Sequence, residues 1–200
     1  MDNVSAYWDP LPTARRMMRP PAPATRPLFG GVWEERNWLN VPGPFYGATT
    51  DNCTTGRGVA PELVGYNQSL REFVFRQPRS EDEVDAILQA ADEDPFGGYG
   101  CDGDDRWTVE TVRAWWADRA RVREWARAQS VEWLPLTDEP GPEGAPAVDA
   151  YTARLYGDAA AGLRDYVAYI DGELGRHLRG YLFWLDQRRE PRPGEALPHL

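Results

Sequence analysis

Between Tyr151 and Arg188, apolar side chains at Leu163, Val167, Ile170, Leu174, Leu178, Tyr181 and Leu185 recur every three or four residues. That spacing sets them along one side of an α-helix and commits the C-terminal part of the chain to helix packing. The same region carries Gly157, Gly162, Gly172, Gly175 and Gly180. Each glycine weakens a helix by about 1 kcal/mol relative to alanine, so a break or kink is expected near Gly157 or Gly172. Pro191 and Pro193 end the helical run and leave a short tail over residues 191–200.

Two more helices are expected upstream. Ser80 with Glu83 forms a capping box for a helix from Glu81 to about Asp92, with Val84, Ile87, Leu88 and Ala91 turned inward. Thr108 caps a second helix reaching about Ala128, with Val109, Val112, Trp115, Trp116, Val122 and Ala126 on one side. Arg119 and Arg123 interrupt that side and are expected to snorkel or to meet acidic partners. The strongest strand signal lies earlier, where residues 62–66 and 71–76 flank Asn67-Gln68-Ser69-Leu70 in the pattern of a β-hairpin with a four-residue connection. The fold class expected is therefore α+β and mostly helical, with a small antiparallel β-hairpin, three or more helices and long Gly/Asp/aromatic loops.

Residues 1–28 mix six prolines with Arg15, Arg16, Arg19 and Arg26, a composition read here as a disordered Pro/Arg-rich arm. Residues 29–190 then form a single globular domain. An acidic Pro/Gly linker over 137–149 interrupts it, after a short apolar piece at 131–136.

Composition removes several chemistries. All 22 basic residues are Arg. Schiff-base and pyridoxal chemistry and the phosphate-loop lysine are thus excluded. Only His177 and His199 are present, so a multi-histidine metal centre is not expected, and no cofactor is assigned. No run approaches the length of about 18 apolar residues that spans a bilayer. No secretory signal is evident, and a cytoplasmic location with reduced thiols is expected.

Charge is uneven, with 9 Arg against 7 acids in residues 1–80 and 13 Arg against 25 acids in residues 81–200. Ten carboxylates occur between Glu81 and Asp105 with no Arg among them. Such a segment repels nucleic acid and membrane surfaces and suits a basic protein partner; the plainer reading is a solvated helix face with turn aspartates.

The only two cysteines, Cys53 and Cys101, each follow a Gly/aromatic loop, Pro44-Phe45-Tyr46-Gly47 and Pro95-Phe96-Gly97-Gly98. In the first loop Asp51 precedes the thiol by two residues and Arg57 follows it by four. A neighbouring guanidinium lowers a thiol pKa, which makes Cys53 a candidate nucleophile, with Asp51 as base and Arg57 as anion clamp. No histidine stands near to act as base, and a turn-rich structural loop explains the same residues. Cys101 is the second candidate nucleophile, and the aspartates beside it fit an Asp-rich turn before a helix better than a calcium loop. Trp38, Phe45, Tyr46, Phe96, Tyr99 and Trp107, with Trp33, Trp115 and Trp116, are the candidates to wall an aromatic pocket. With Asp51, Asp102 and Arg57 at its rim, such a pocket favours a small cationic ligand.

The runs 36–47, 72–79 and 94–105 resemble a group of small, largely uncharacterised actinobacterial proteins, over most of residues 33–128. Some members of that group carry the label ferredoxin. Cys53 and Cys101 alone cannot supply the thiolates of such a cluster, so no functional residue is carried over. Three functions fit these residues. The leading one is an acidic binding or interaction protein with an aromatic-walled site formed by the two cysteine loops. The others are a small tailoring enzyme using Cys53 or Cys101 as nucleophile, and a thiol switch in which the two cysteines pair.

Overall fold

A computed structural model describes residues 7–18, 27–133 and 150–200. Helix α1 (Leu11–Met17) is followed by a 3-10 turn at Trp33–Glu35 and by strand β1 (Tyr46–Gly47). The short helix α2 (Gly56–Val59) leads into the hairpin of β2 (Val64–Tyr66) and β3 (Glu72–Val74). Helix α3 (Glu81–Glu93), strand β4 (Tyr99–Gly100) and the short helix α4 (Gly103–Arg106) come next. Three long helices complete the chain: α5 (Val109–Trp133), α6 (Ala150–Asp171) and α7 (Leu174–Gln187). The molecule is mostly helical α+β, with two small antiparallel sheets.

Local chemistry accounts for the main boundaries. The Ser80 hydroxyl accepts from the Glu83 amide and starts α3. The Glu83 carboxylate takes the Arg79 amide, one residue before the position a standard capping box would use. Thr108 receives the Thr111 amide and opens α5. The apolar stripe from Tyr151 is divided at Gly172, between α6 and α7, while Gly157 stays helical inside α6. In the hairpin, Asn67 to Leu70 make the turn, with Asn67 N–H donating to the Arg71 carbonyl, and Val64 faces Val74 across the ladder. The linker at 137–149 lies outside the described residues, as does the second half of the apolar piece before it, whose first half is taken up by the end of α5.

Two features differ from expectation. Within the supposed arm, residues 7–18 are ordered. Tyr7, Leu11, Thr13 and Ala14 are buried, and α1 packs on α3. Proline at the start of a helix costs little because its missing N–H would be unsatisfied there anyway, so Pro10 and Pro12 permit α1 where a proline count suggested disorder. Secondly, the two cysteine loops are paired as well as long. Tyr46 faces Gly100 and Gly47 faces Tyr99 in an antiparallel ladder that joins the stretches on either side of the hairpin and α3.

The core has two parts. Helices α5, α6 and α7 enclose Val112, Val122, Ala126, Leu163, Tyr166, Leu174, Leu178 and Tyr181 together with Leu39, Val41 and Phe73. A second group, Phe45, Leu63, Val64, Val74, Val84, Ile87, Ala91 and Tyr99, lies under α1 and α3. Residues adjacent along β3, Phe73 and Val74, point into the first and the second group respectively, as alternation along a strand requires. Among the described residues no helix is long and apolar enough to cross a membrane.

Candidate functional site

The cysteine loops meet because their glycines allow it. A Cβ on Gly98 would stand 2.3 Å from the Thr49 carbonyl oxygen, and one on Gly100 would stand 2.1 Å from the Tyr46 ring. Asp94 holds the junction from beneath: its carboxylate accepts the backbone N–H groups of Asp51, Phe96 and Gly98 at 2.6 to 3.1 Å. Asn40 ties the same corner to β3 by accepting from Gly47 and Val74. The thiols are not brought together by this pairing. Cys101 adjoins the Tyr46–Gly100 end of the ladder, whereas Cys53 lies past Asp51, beyond the opposite end. Both are free thiols, Cys53 exposed and Cys101 half-buried.

Neither thiol has the surroundings of an activated nucleophile. The adjacent Asp51 carboxylate pushes the Cys53 thiol above its usual range. Burial, and then Asp102, lifts Cys101 to about 11. Arg57, expected to lower the Cys53 pKa, is turned away and buried. Its Nε donates to Asp158 at 3.2 Å, Nη2 to Asp165 at 2.9 Å, and Nη1 to the carbonyls of Pro61 and Val64. Gly162 on α6 leaves room for this crossing, since a Cβ there would meet the guanidinium at 2.8 Å. Arg57 is therefore an anchor between α2 and α6, and its charge is already matched. Asp51 is buried beside the thiol and accepts the Cys53 amide.

The expected aromatic pocket is distributed over three places. Phe45, Tyr46 and Tyr99 are fully buried in the core. Phe96 is 70% exposed and flanks a shallow hollow of about 220 Å³ beside Gly30, Val32, Thr49 and Gly98. Trp38 and Trp107 do share a cavity, of about 230 Å³, with Trp115 of α5. Its rim is formed by Arg36, Asn37, Asp118 and Arg121 instead of Asp51, Asp102 and Arg57. Asp102 instead accepts from Arg106 and lies 2.6 Å from the Tyr46 hydroxyl. Partial burial works against its charge, but those two hydrogen bonds hold it below the usual carboxylate range.

Within the cavity the guanidinium of Arg36 lies 4.0 Å from the Trp33 ring centre and 5.5 Å from that of Trp107. Trp33 and Trp107 meet edge to face at 5.2 Å. Arg121 covers Trp38 at 4.5 Å and pairs with Asp118 at 2.9 Å. Arg36 donates to the Trp33 carbonyl. Among the described residues it has no carboxylate within ion-pair distance, and burial lowers its pKa. Trp115 Nε1 is buried with no acceptor among the described residues. Sequence reasoning reached the tryptophans through their number but missed Arg36 and Arg121. A stacked arginine three residues after Trp33 has no local signature that separates it from a surface charge.

Two buried carboxyls were also missed. Glu72 accepts from the Gly56 amide at 2.7 Å and from the Tyr99 hydroxyl at 2.5 Å. Asp104 accepts from the Tyr181 hydroxyl at 2.7 Å. Burial is the main cause that lifts each to about 7. Among the described residues no cluster of three or more His, Cys, Asp or Glu side chains is placed to hold a metal ion. Comparison with protein families, curated proteins and solved structures finds no match to this chain.

Proposed function

We propose that this chain is a binding protein whose recognition site is the tryptophan cavity between residues 36–40 and α5. One observation carries the reading: Trp38, Trp107 and Trp115, from three separate stretches, converge with Arg36 and Arg121 on a single cavity of about 230 Å³. Ligand sites combine apolar or aromatic walls with a few placed polar groups. Here both kinds are present, and Trp38 at 39% exposure opens the wall to solvent. The expected binding protein with an aromatic site is kept, and that site moves off the cysteine loops. The free thiols are compatible with a reducing cytoplasm. The likeness to small actinobacterial proteins rests on the sequence runs alone and adds no chemistry to the site.

The test is a single-ring fragment screen followed through the indole N–H resonances by NMR. Binders are expected to shift the signals of Trp38, Trp107 and Trp115, with affinities retained in the Cys53→Ser/Cys101→Ser double variant. Shifts confined to residues near the two cysteines, and abolished by that variant, would transfer the function to the thiols.

A further inference from the structure

The same tryptophan cavity points to a class of ligand, an assignment that rests on the cavity being a binding site. One cationic donor, Arg36, lines it without a carboxylate at ion-pair distance among the described residues. Arg36 is half-buried over the Trp33 ring and near that of Trp107, and among the described residues its only hydrogen bond goes to the Trp33 carbonyl. The buried Trp115 Nε1 has no acceptor among the described residues. That nitrogen is sealed from the cavity, so the group a ligand can reach is the guanidinium, which is costly to desolvate without an acceptor. The one carboxylate at the rim, Asp118, is already paired with Arg121, and the charge nearest Arg36, Glu34, stands beyond ion-pair distance. Elsewhere in the molecule the buried Arg57 has its charge matched by Asp158 and Asp165, while Arg119 resembles Arg36 in stacking on a tryptophan, Trp116, and donating to its carbonyl.

Size and shape restrict what completes the set. A cavity of about 150 Å³ takes a benzene ring. The observed volume of about 230 Å³ leaves room for one ring with a small substituent. The walls are tryptophan rings, against which a flat ring packs offset or edge-on. We infer that the cavity takes a single-ring aromatic anion such as an aromatic carboxylate, with its ring against Trp38 and Trp107 and its charged oxygens on Arg36. This reverses the ligand charge expected when an aspartate rim was anticipated. Arg36 sets the sign of the ligand, and the tryptophans set its flatness.

Benzoate, benzamide and benzylamine, which share a ring and differ in charge, separate the ligand class from the existence of the site. Each is titrated into the full chain by calorimetry, with the indole resonances as a second readout. Benzoate is expected to bind tightest. Arg36→Met is expected to weaken benzoate by about tenfold or more, the scale of a charge-assisted contact, and to leave benzamide nearly unchanged. Arg36→Lys, which keeps the charge and loses the planar fork, is expected to fall between the two. Circular dichroism confirms that each variant is folded. Benzamide or benzylamine binding as tightly as benzoate, with the Trp38, Trp107 and Trp115 signals moving, would overturn the anion assignment and leave the cavity as a binding site. Failure of all three probes up to about 10 mM, weaker than the millimolar scale of about −4 kcal/mol, would overturn both.

Discussion

Glu72 and His177 show at the residue scale how burial sets charge in this protein, and they act in opposite directions. Burial lifts the Glu72 carboxyl from 4.5 to about 7, so the folded chain keeps a proton that the unfolded chain has already released. Its contribution to stability is full below about pH 4.5 and is lost as pH rises to 7. Asp104 behaves in the same way, rising from 3.8 to about 7. His177 is pushed from 6.5 to about 4, by burial first and then by Arg79. It favours the folded state above pH 6.5, and that advantage is lost on acidification toward 4. Glu72→Gln, which removes the first of these titrations, is expected to flatten the fall in stability between pH 4.5 and 7 by up to an order of 3 kcal/mol. Urea melts at several pH values read it, and an unchanged slope would remove Glu72 from the account. Arg57 gives the second prediction at this scale. Lysine cannot serve two carboxylates and two carbonyls at once, so Arg57→Lys is expected to cost about 3 kcal/mol in the same assay.

At the scale of elements, the junction of the cysteine loops depends on close backbone approach. A methyl group at Gly98 would collide with the Thr49 carbonyl, which is backbone and cannot rotate aside. Gly98→Ala is therefore expected to cost about 1 to 3 kcal/mol and to raise hydrogen exchange at Ala48, whose amide bonds to Gly98. Full retention of exchange protection would show that the loops are held by the Asp94 carboxylate alone. Helix α1 lends itself to a similar test. Leu11 is buried against the second core group, and Leu11→Ala is expected to destabilise the protein by about 2 kcal/mol, the lower end for a buried leucine. A change near zero, measured by thermal melting, would mean that α1 is dispensable to the fold.

For the molecule as a whole, the question is whether two core groups make one cooperative unit. They share β3, where Phe73 and Val74 face opposite ways, and most of the tryptophans lie on or around the helical group. Ile87→Ala, in the other group, is expected to lower the midpoint of the tryptophan fluorescence transition by the same amount as that of the far-UV circular dichroism. Two separated transitions would show that the groups unfold independently.

Much of the architecture was legible because it follows from local rules. The stripe from Leu163 to Leu185, the Ser80 cap, the Asn67–Leu70 turn and the break at Gly172 each depend on residues within a few positions of one another. The cavity was legible only in part. Trp38 and Trp107 stood out by type, but their meeting with Trp115 and Arg36 depends on how α5 lies against residues 36–40, and no spacing along the chain encodes that. Burial decided the rest. The chain alone determined the helical periodicity of α3, α5, α6 and α7, its hairpin and the absence of lysine and paired-histidine chemistry, since these depend on residue type and periodicity. Only the tertiary structure decided that Arg57 is matched and Arg36 is not, because a guanidinium's role is set by which distant carboxylates fold up beside it.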